Sequence, residues 1–113
     1  KSIVTLQGRE IVIEGSVFSD NIFRITNILG FDIDFIPSGH ILCIYNKDVP
    51  GVVGSVGSVL GKNRINIAEF ILSRSSNNNT ACSIVKIDES VSKEIINSIE
   101  SIPEVTKVFL LKV

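Results

Sequence analysis

His40-Ile41-Leu42-Cys43-Ile44-Tyr45-Asn46-Lys47-Asp48-Val49-Pro50-Gly51-Val52-Val53-Gly54 carries an apolar strand through a short polar loop into an amphipathic helix. Residues 41–45 are apolar on both faces, which places the strand centrally in a sheet. Pro50 suits a first helical turn, where its missing N–H costs nothing and its fixed φ is already helical. Gly51 would let a ligand approach backbone N–H groups that have no intrahelical partner. Such a helix start favours negative charge, a carboxylate for example. With Asp48 nearby to meet an ammonium, the loop could hold both ends of a free amino acid. The same residues also read as an ordinary strand-to-helix turn capped by Asp48.

Moving toward the C-terminus, Val52, Val56, Val59 and Leu60 recur at helical spacing, with Val53 beside them. Gly54 and Gly57 lie inside that helix, each at a cost of about 1 kcal/mol relative to alanine. That cost implies something close to the helix backbone, whether sheet, ligand or partner chain. Gly61 is the expected C-cap. Ile65-Asn66-Ile67-Ala68-Glu69-Phe70-Ile71-Leu72 reads as a second strand, residues 75–79 as a hairpin loop and residues 81–87 as the returning strand. A second helix carries Val91, Ile95, Ile96, Ile99 and Ile102 and is stopped by Pro103; residues 105–113 form the last strand. The order βαββαβ predicts an α+β, ferredoxin-like fold, with two helices on one face of a four-stranded antiparallel sheet. Ile44, Ile71, Ile84 and Val108 cannot all face the helices. A bare sheet face and a free sheet edge are therefore expected, both favouring a dimer.

Toward the N-terminus, Pro37-Ser38-Gly39 marks a joint. Residues 1–36 read as β-rich. Ile3-Val4-Thr5-Leu6 is a strand and Gln7-Gly8-Arg9-Glu10 a turn. Ile11, Ile13 and Val17 form a second strand interrupted at Gly15-Ser16. Residues 21–28 form a third, closed by Leu29-Gly30. Phe31, Ile33 and Phe35 alternate with Asp32 and Asp34, the period-two pattern of a half-buried strand. Four short strands without a covering layer suggest part of a larger domain. The division is thus a β-rich fragment over 1–38 and a ferredoxin-like unit over 39–113.

Composition narrows the function. The net charge is −1, so nothing in it suggests nucleic acid or an acidic membrane surface as a partner. The central strands also lack exposed aromatics for stacking RNA bases. Cys43 and Cys82 lie within expected strands and read as buried free thiols of a reducing compartment. His40 is the single histidine, too little for a histidine metal site or a catalytic triad. Neither a leader pattern nor a long apolar run is seen, so a cytoplasmic setting is expected. No Gly-x-Gly-x-x-Gly follows a strand, and no acid–base pair can be assembled. No catalytic or metal-ligating residue is assigned.

Gly39-His40, Asn46-x-Asp48-x-Pro50-Gly51-Val52-Val53-Gly54-x-Val56-Gly57, and Leu60-Gly61 before Ile65-Asn66-Ile67-Ala68 resemble an ACT domain. More narrowly, they are similar to the C-terminal regulatory region of the D-3-phosphoglycerate dehydrogenase family, densely over 39–72 and in register to 113. Residues 10–36 resemble the end of the domain that precedes it in longer forms. The resemblance implies a homodimer of ACT domains paired edge to edge. L-serine would bind at the interface and inhibit the NAD-dependent first enzyme of phosphorylated serine biosynthesis. The implied effector positions are Asn46, Asp48, the backbone of Val52, Val53 and Gly54, and Asn66 across the interface. Pro37-Ser38-Gly39 would be where the domain angle changes. The chain itself would hold no NAD and have no dehydrogenase activity. A purely structural dimerisation module, and the ACT region of a β-type L-serine dehydratase, are the alternatives. Phe31, Asp32 and Ile36 stand where some long forms build a second anion site, which is not carried over; Arg24 reads as an isolated, solvated cation.

Overall fold

The computed structural model describes residues 2–6, 9–17, 23–28, 30–75 and 78–112, with side chains for 24–28, 30–75 and 78–111. Strands β1 (Ser2–Leu6), β2 (Arg9–Val17), β3 (Phe23–Ile28) and β4 (Phe31–Phe35) form an antiparallel meander in that order. There follow β5 (His40–Lys47), α1 (Val52–Lys62), β6 (Ile67–Ser75), β7 (Thr80–Ile87), α2 (Lys93–Glu100) and β8 (Val105–Lys112). Their sheet is antiparallel and ordered β6-β7-β5-β8, which makes this half a ferredoxin-like βαββαβ fold, as the alternation of periods predicts. Gln7 and Gly8 of the expected turn, Asn21 and Ile22 of the expected third strand, Leu29, Ser76 and Asn77 of the hairpin loop, and Val113 lie outside the described residues.

Side-chain alternation on β5 divides the molecule into layers. Leu42 and Ile44 face the helices, in one core with Val52, Val56, Leu60, Val85, Ile96, Ile99 and Val108. Ile41 and Cys43 point the other way, with Cys82, Ile84 and Phe109, into a second core completed by Ile25, Ile28, Phe31, Ile33 and Phe35 of the first sheet. The expected bare face is therefore absent. Of the strands expected to lack a covering layer, β3 and β4 have one in the second sheet, where Ile25, Ile28, Phe31, Ile33 and Phe35 are buried against its open face. Pro37-Ser38-Gly39 links two packed layers, with Gly39 at φ +70°. Along β4, Phe31, Ile33 and Phe35 point into this core while Asp32 and Asp34 point outward. There Asn27 Nδ2 donates to Asp32 Oδ1 at 3.1 Å, and Arg24 Nε donates to Asp34 Oδ1 at 2.7 Å. Arg24 is thus paired across β3 and β4, not isolated as the sequence suggests.

Local rules explain most element ends, with three corrections. β2 does not stop at Gly15-Ser16; its register against β3 shifts between Glu14 and Gly15, where β3 carries one extra residue, and β2 continues to Val17. α1 runs past Gly61 to Lys62, and Asn63 is its C-cap. The left-handed residue that reverses the chain is Arg64, at φ +60°. Its N–H donates to Gly61 O at 3.0 Å and that of Ile65 to Leu60 O at 2.9 Å, the paired closure that satisfies orphan helix carbonyls. Buried Ile65 then stands against buried Leu60, a contact that steadies this closure without glycine. At α2, Ser92 caps the start, accepting from the Ile95 N–H at 3.3 Å. Regular helix there is shorter than the apolar spacing suggests, since Val91 precedes it and Ile102 follows it.

Candidate functional site

Asn46 is the penultimate residue of β5, on its helix-facing side and 3% exposed. It is a strand residue, not a loop residue as the sequence suggests. Its register against β8 shifts between Tyr45 and Asn46, an irregularity of the kind that re-aims a side chain. Its carboxamide is half spent: Nδ2 donates to Lys47 O at 2.9 Å, and Oδ1 accepts from Ser83 Oγ at 3.3 Å. One N–H and one lone pair remain for another partner.

The next turn is made by Gly51. It is the N-cap of α1 at φ +94°, a conformation that disfavours a side chain, and no side-chain hydrogen bond caps the helix. Pro50 therefore lies one residue outside the helix rather than in its first turn, because the left-handed residue must come between them. Asp48 does not cap either. Its N–H donates to Asn79 O at 2.8 Å, and its carboxylate pairs with Arg74 Nε at 3.3 Å. Val52, Val53 and Gly54 are the first three helical residues, where N–H groups lack intrahelical acceptors.

These elements enclose an open cleft of about 460 Å³. Asn46, Asp48, Gly51, Val52 and Val53 line it, and so do Val49, Pro50, Leu72 and Arg74. Of the residues singled out from sequence, Asn46, Asp48, Val52 and Val53 come together here. Gly54 is exposed and does not line the cleft. Asn66 is exposed ahead of β6, at the end of that strand away from Arg74. Asn66 is thus not brought to the cleft within one chain. Its carbonyl accepts from the Asp88 N–H at 3.3 Å.

Arg74 and Leu72 are the residues missed from sequence. The strand read as ending at Leu72 continues to Ser75, and its polar last turn of Ser73, Arg74 and Ser75 resembles loop composition. The hairpin offers the signal that could have found Arg74. Both Asn46 and Arg74 are opposite Ala81, so a correct hairpin register puts them on one face, two strands apart. The cleft thus presents an anion and a cation, free N–H donors and apolar Val49, Val53 and Leu72, a set suited to a small zwitterion. A second cleft of about 420 Å³ lies between the sheets, bordered by Asp32, Tyr45, Ser73, Asn78 and again Arg74.

Other reactive groups are out of play. Cys43 and Cys82 are free and buried, and burial pushes both thiols up to about 12, with Cys82 adding to the effect at Cys43. Among the described residues no group of three or more His, Cys, Asp or Glu could hold a metal ion. None of the helices described is long and apolar enough to cross a membrane.

No family model matches the chain. Curated relatives do. The D-3-phosphoglycerate dehydrogenase of Bacillus subtilis is 36% identical over 88 residues, covering 78% of this chain and 17% of that enzyme. That of Archaeoglobus fulgidus is 40% identical over 72 residues, 64% of this chain and 14% of the enzyme. The chain is a homologue of part of D-3-phosphoglycerate dehydrogenase. The dehydrogenase of Methanocaldococcus jannaschii matches likewise, at 31% identity over 77% of this chain and 17% of the enzyme. The chain spans about a sixth of the length of the dehydrogenases it matches. The resemblance to this dehydrogenase family read from the sequence is borne out.

Proposed function

We propose that this chain is the regulatory, amino-acid-sensing part of a D-3-phosphoglycerate dehydrogenase, an ACT domain that binds L-serine and inhibits NAD-dependent catalysis carried elsewhere in the parent protein. The observation that supports it is the cleft, where Asp48 offers an ammonium its counter-ion beside the unpartnered N–H groups of Val52 and Val53. The relatives described above all carry the name of that dehydrogenase. The two buried free thiols suit a reducing, cytoplasmic setting.

A homodimer completes the site. β6 is one of the two edge strands of its sheet, and the exposed apolar side chains Val49, Val53, Ile67 and Leu72 lie on or beside it. Antiparallel pairing of two β6 edges about a two-fold near Phe70 would set Asn66 of the partner subunit opposite Arg74, beside the cleft. Gly54 and Gly57 have nothing of their own chain within 4 Å of where a Cβ would stand, which suits a partner or ligand approaching that helix. The sheet does not press on these glycines, which removes one of the three explanations considered from the sequence. If L-serine bridges two chains, it stabilises the arrangement it binds best, and inhibition follows from that differential affinity.

Calorimetry against a panel of amino acids, with light scattering at low micromolar protein, tests this. Expected are a dimer and saturable binding of L-serine that weakens in Asn66→Ala. A strict monomer that binds no amino acid would overturn it.

A further inference from the structure

We infer that Arg74 is the residue that takes the ligand's carboxylate, releasing Asp48 for the ammonium as it does so. This deepens, and rests on, the amino-acid-binding proposal above. Three observations lead there.

The first is placement. Asn46, Ala81 and Arg74 are neighbours across β5, β7 and β6 on the helix-facing side. Ala81 is too short to fill the space between the other two, so Arg74 reaches over it to border the cleft. The second is unused capacity. Arg74 meets Asp48 through Nε at 3.3 Å. A guanidinium has five N–H donors in a planar fork, so the terminal nitrogens remain for a carboxylate held two-pronged. The third is the ease of exchange. The Arg74 side chain is 68% exposed and that of Asp48 30%. A solvated pair of this kind contributes little to stability, so exchanging it for a ligand costs the fold little.

A zwitterion inserted between the two charges replaces one weak pair by two charge-assisted contacts and leaves the net charge of the site unchanged. The class recognised is the α-amino acid with a free carboxylate. The carboxylate is gripped within one chain, and the partner's Asn66 adds to the affinity without supplying the charge.

At about pH 6, where both amines are protonated, L-serine and L-serinamide differ at the carboxylate alone, and titrating both into the full chain and into Arg74→Gln reads the charge contact directly. Expected is a wild type that prefers L-serine by tenfold or more. The variant, with an unchanged amide spectrum, should lose ten- to hundredfold in L-serine affinity and bind the two ligands within about threefold of each other. Arg74→Lys should restore part of the preference. An Arg74→Gln protein that keeps both the wild-type serine affinity and the preference overturns this inference and leaves the amino-acid-binding proposal standing. A wild type that binds neither serine nor any other amino acid overturns both.

Discussion

Phe35→Ala probes the layer that makes two sheets into one body. Phe35 closes β4 and is 2% exposed, in the same core as Ile41, Cys43, Cys82, Ile84 and Phe109. Truncating a buried phenylalanine removes its transfer energy and leaves a cavity, together about 3–5 kcal/mol. A domain of this kind has about 5–15 kcal/mol to lose, so the variant should fold but open far more often. Cys43 and Cys82 report that opening, because at neutral pH their thiols are buried, protonated and closed to reagents. At about 1.4 kcal/mol per factor of ten, labelling by an aromatic disulfide should accelerate roughly 10²- to 4 × 10³-fold. The urea midpoint should fall with it. Asp34→Ala is the control: it lies on the exposed face of the same strand and loses only the pair with Arg24, about 1 kcal/mol at most. Thiols that label in the wild type as fast as free cysteine, or a Phe35→Ala protein with unchanged labelling, would refute the packing of the two sheets.

High pH should destabilise the protein through the same two thiols. In the unfolded chain they ionise near 9.0, whereas the folded chain holds the protons to about 12, so the unfolded state binds fewer protons in that window. Stability from this source is intact below pH 9 and falls above it by up to about 1.4 kcal/mol per pH unit per thiol; urea midpoints across pH 7–11 should show Cys82→Ala falling less steeply. Gly54→Ala should stabilise the isolated chain by about 0.5–1 kcal/mol, since nothing obstructs the new methyl group, while weakening serine binding or self-association. Thermal melts and calorimetry on one preparation read both effects. Asn46→Ala should cost about 1–3 kcal/mol in chemical denaturation, because the buried Ser83 hydroxyl loses its acceptor.

Periodicity made the architecture legible. Phe31-Asp32-Ile33-Asp34-Phe35 announces its buried and exposed faces, and the apolar run of residues 41–45 announces a central strand. What periodicity cannot reveal is which apolar face meets which. The first sheet and the open face of the second each look unpartnered when read alone, and only the fold shows that they cover each other. Turn chemistry misled where glycine has a competitor. Gly61 is continued as helix and Arg64 takes the left-handed position, since two backbone bonds and the Leu60–Ile65 contact hold the closure together. At the site, Asp48 was legible because it precedes a helix start, and its partner was not. Arg74 lies 26 residues further on, among serines at the end of an edge strand, and becomes visible only once the β6–β7 register is known.

The most direct measurement of the central claim is a titration of isotope-labelled protein with L-serine, followed through backbone amides and the Arg74 guanidinium. Saturable shifts concentrated at Asp48, Val52, Val53 and Arg74 are predicted. No saturable change at millimolar serine, or shifts confined to the inter-sheet cleft at Tyr45, Ser73 and Asn78, would contradict it.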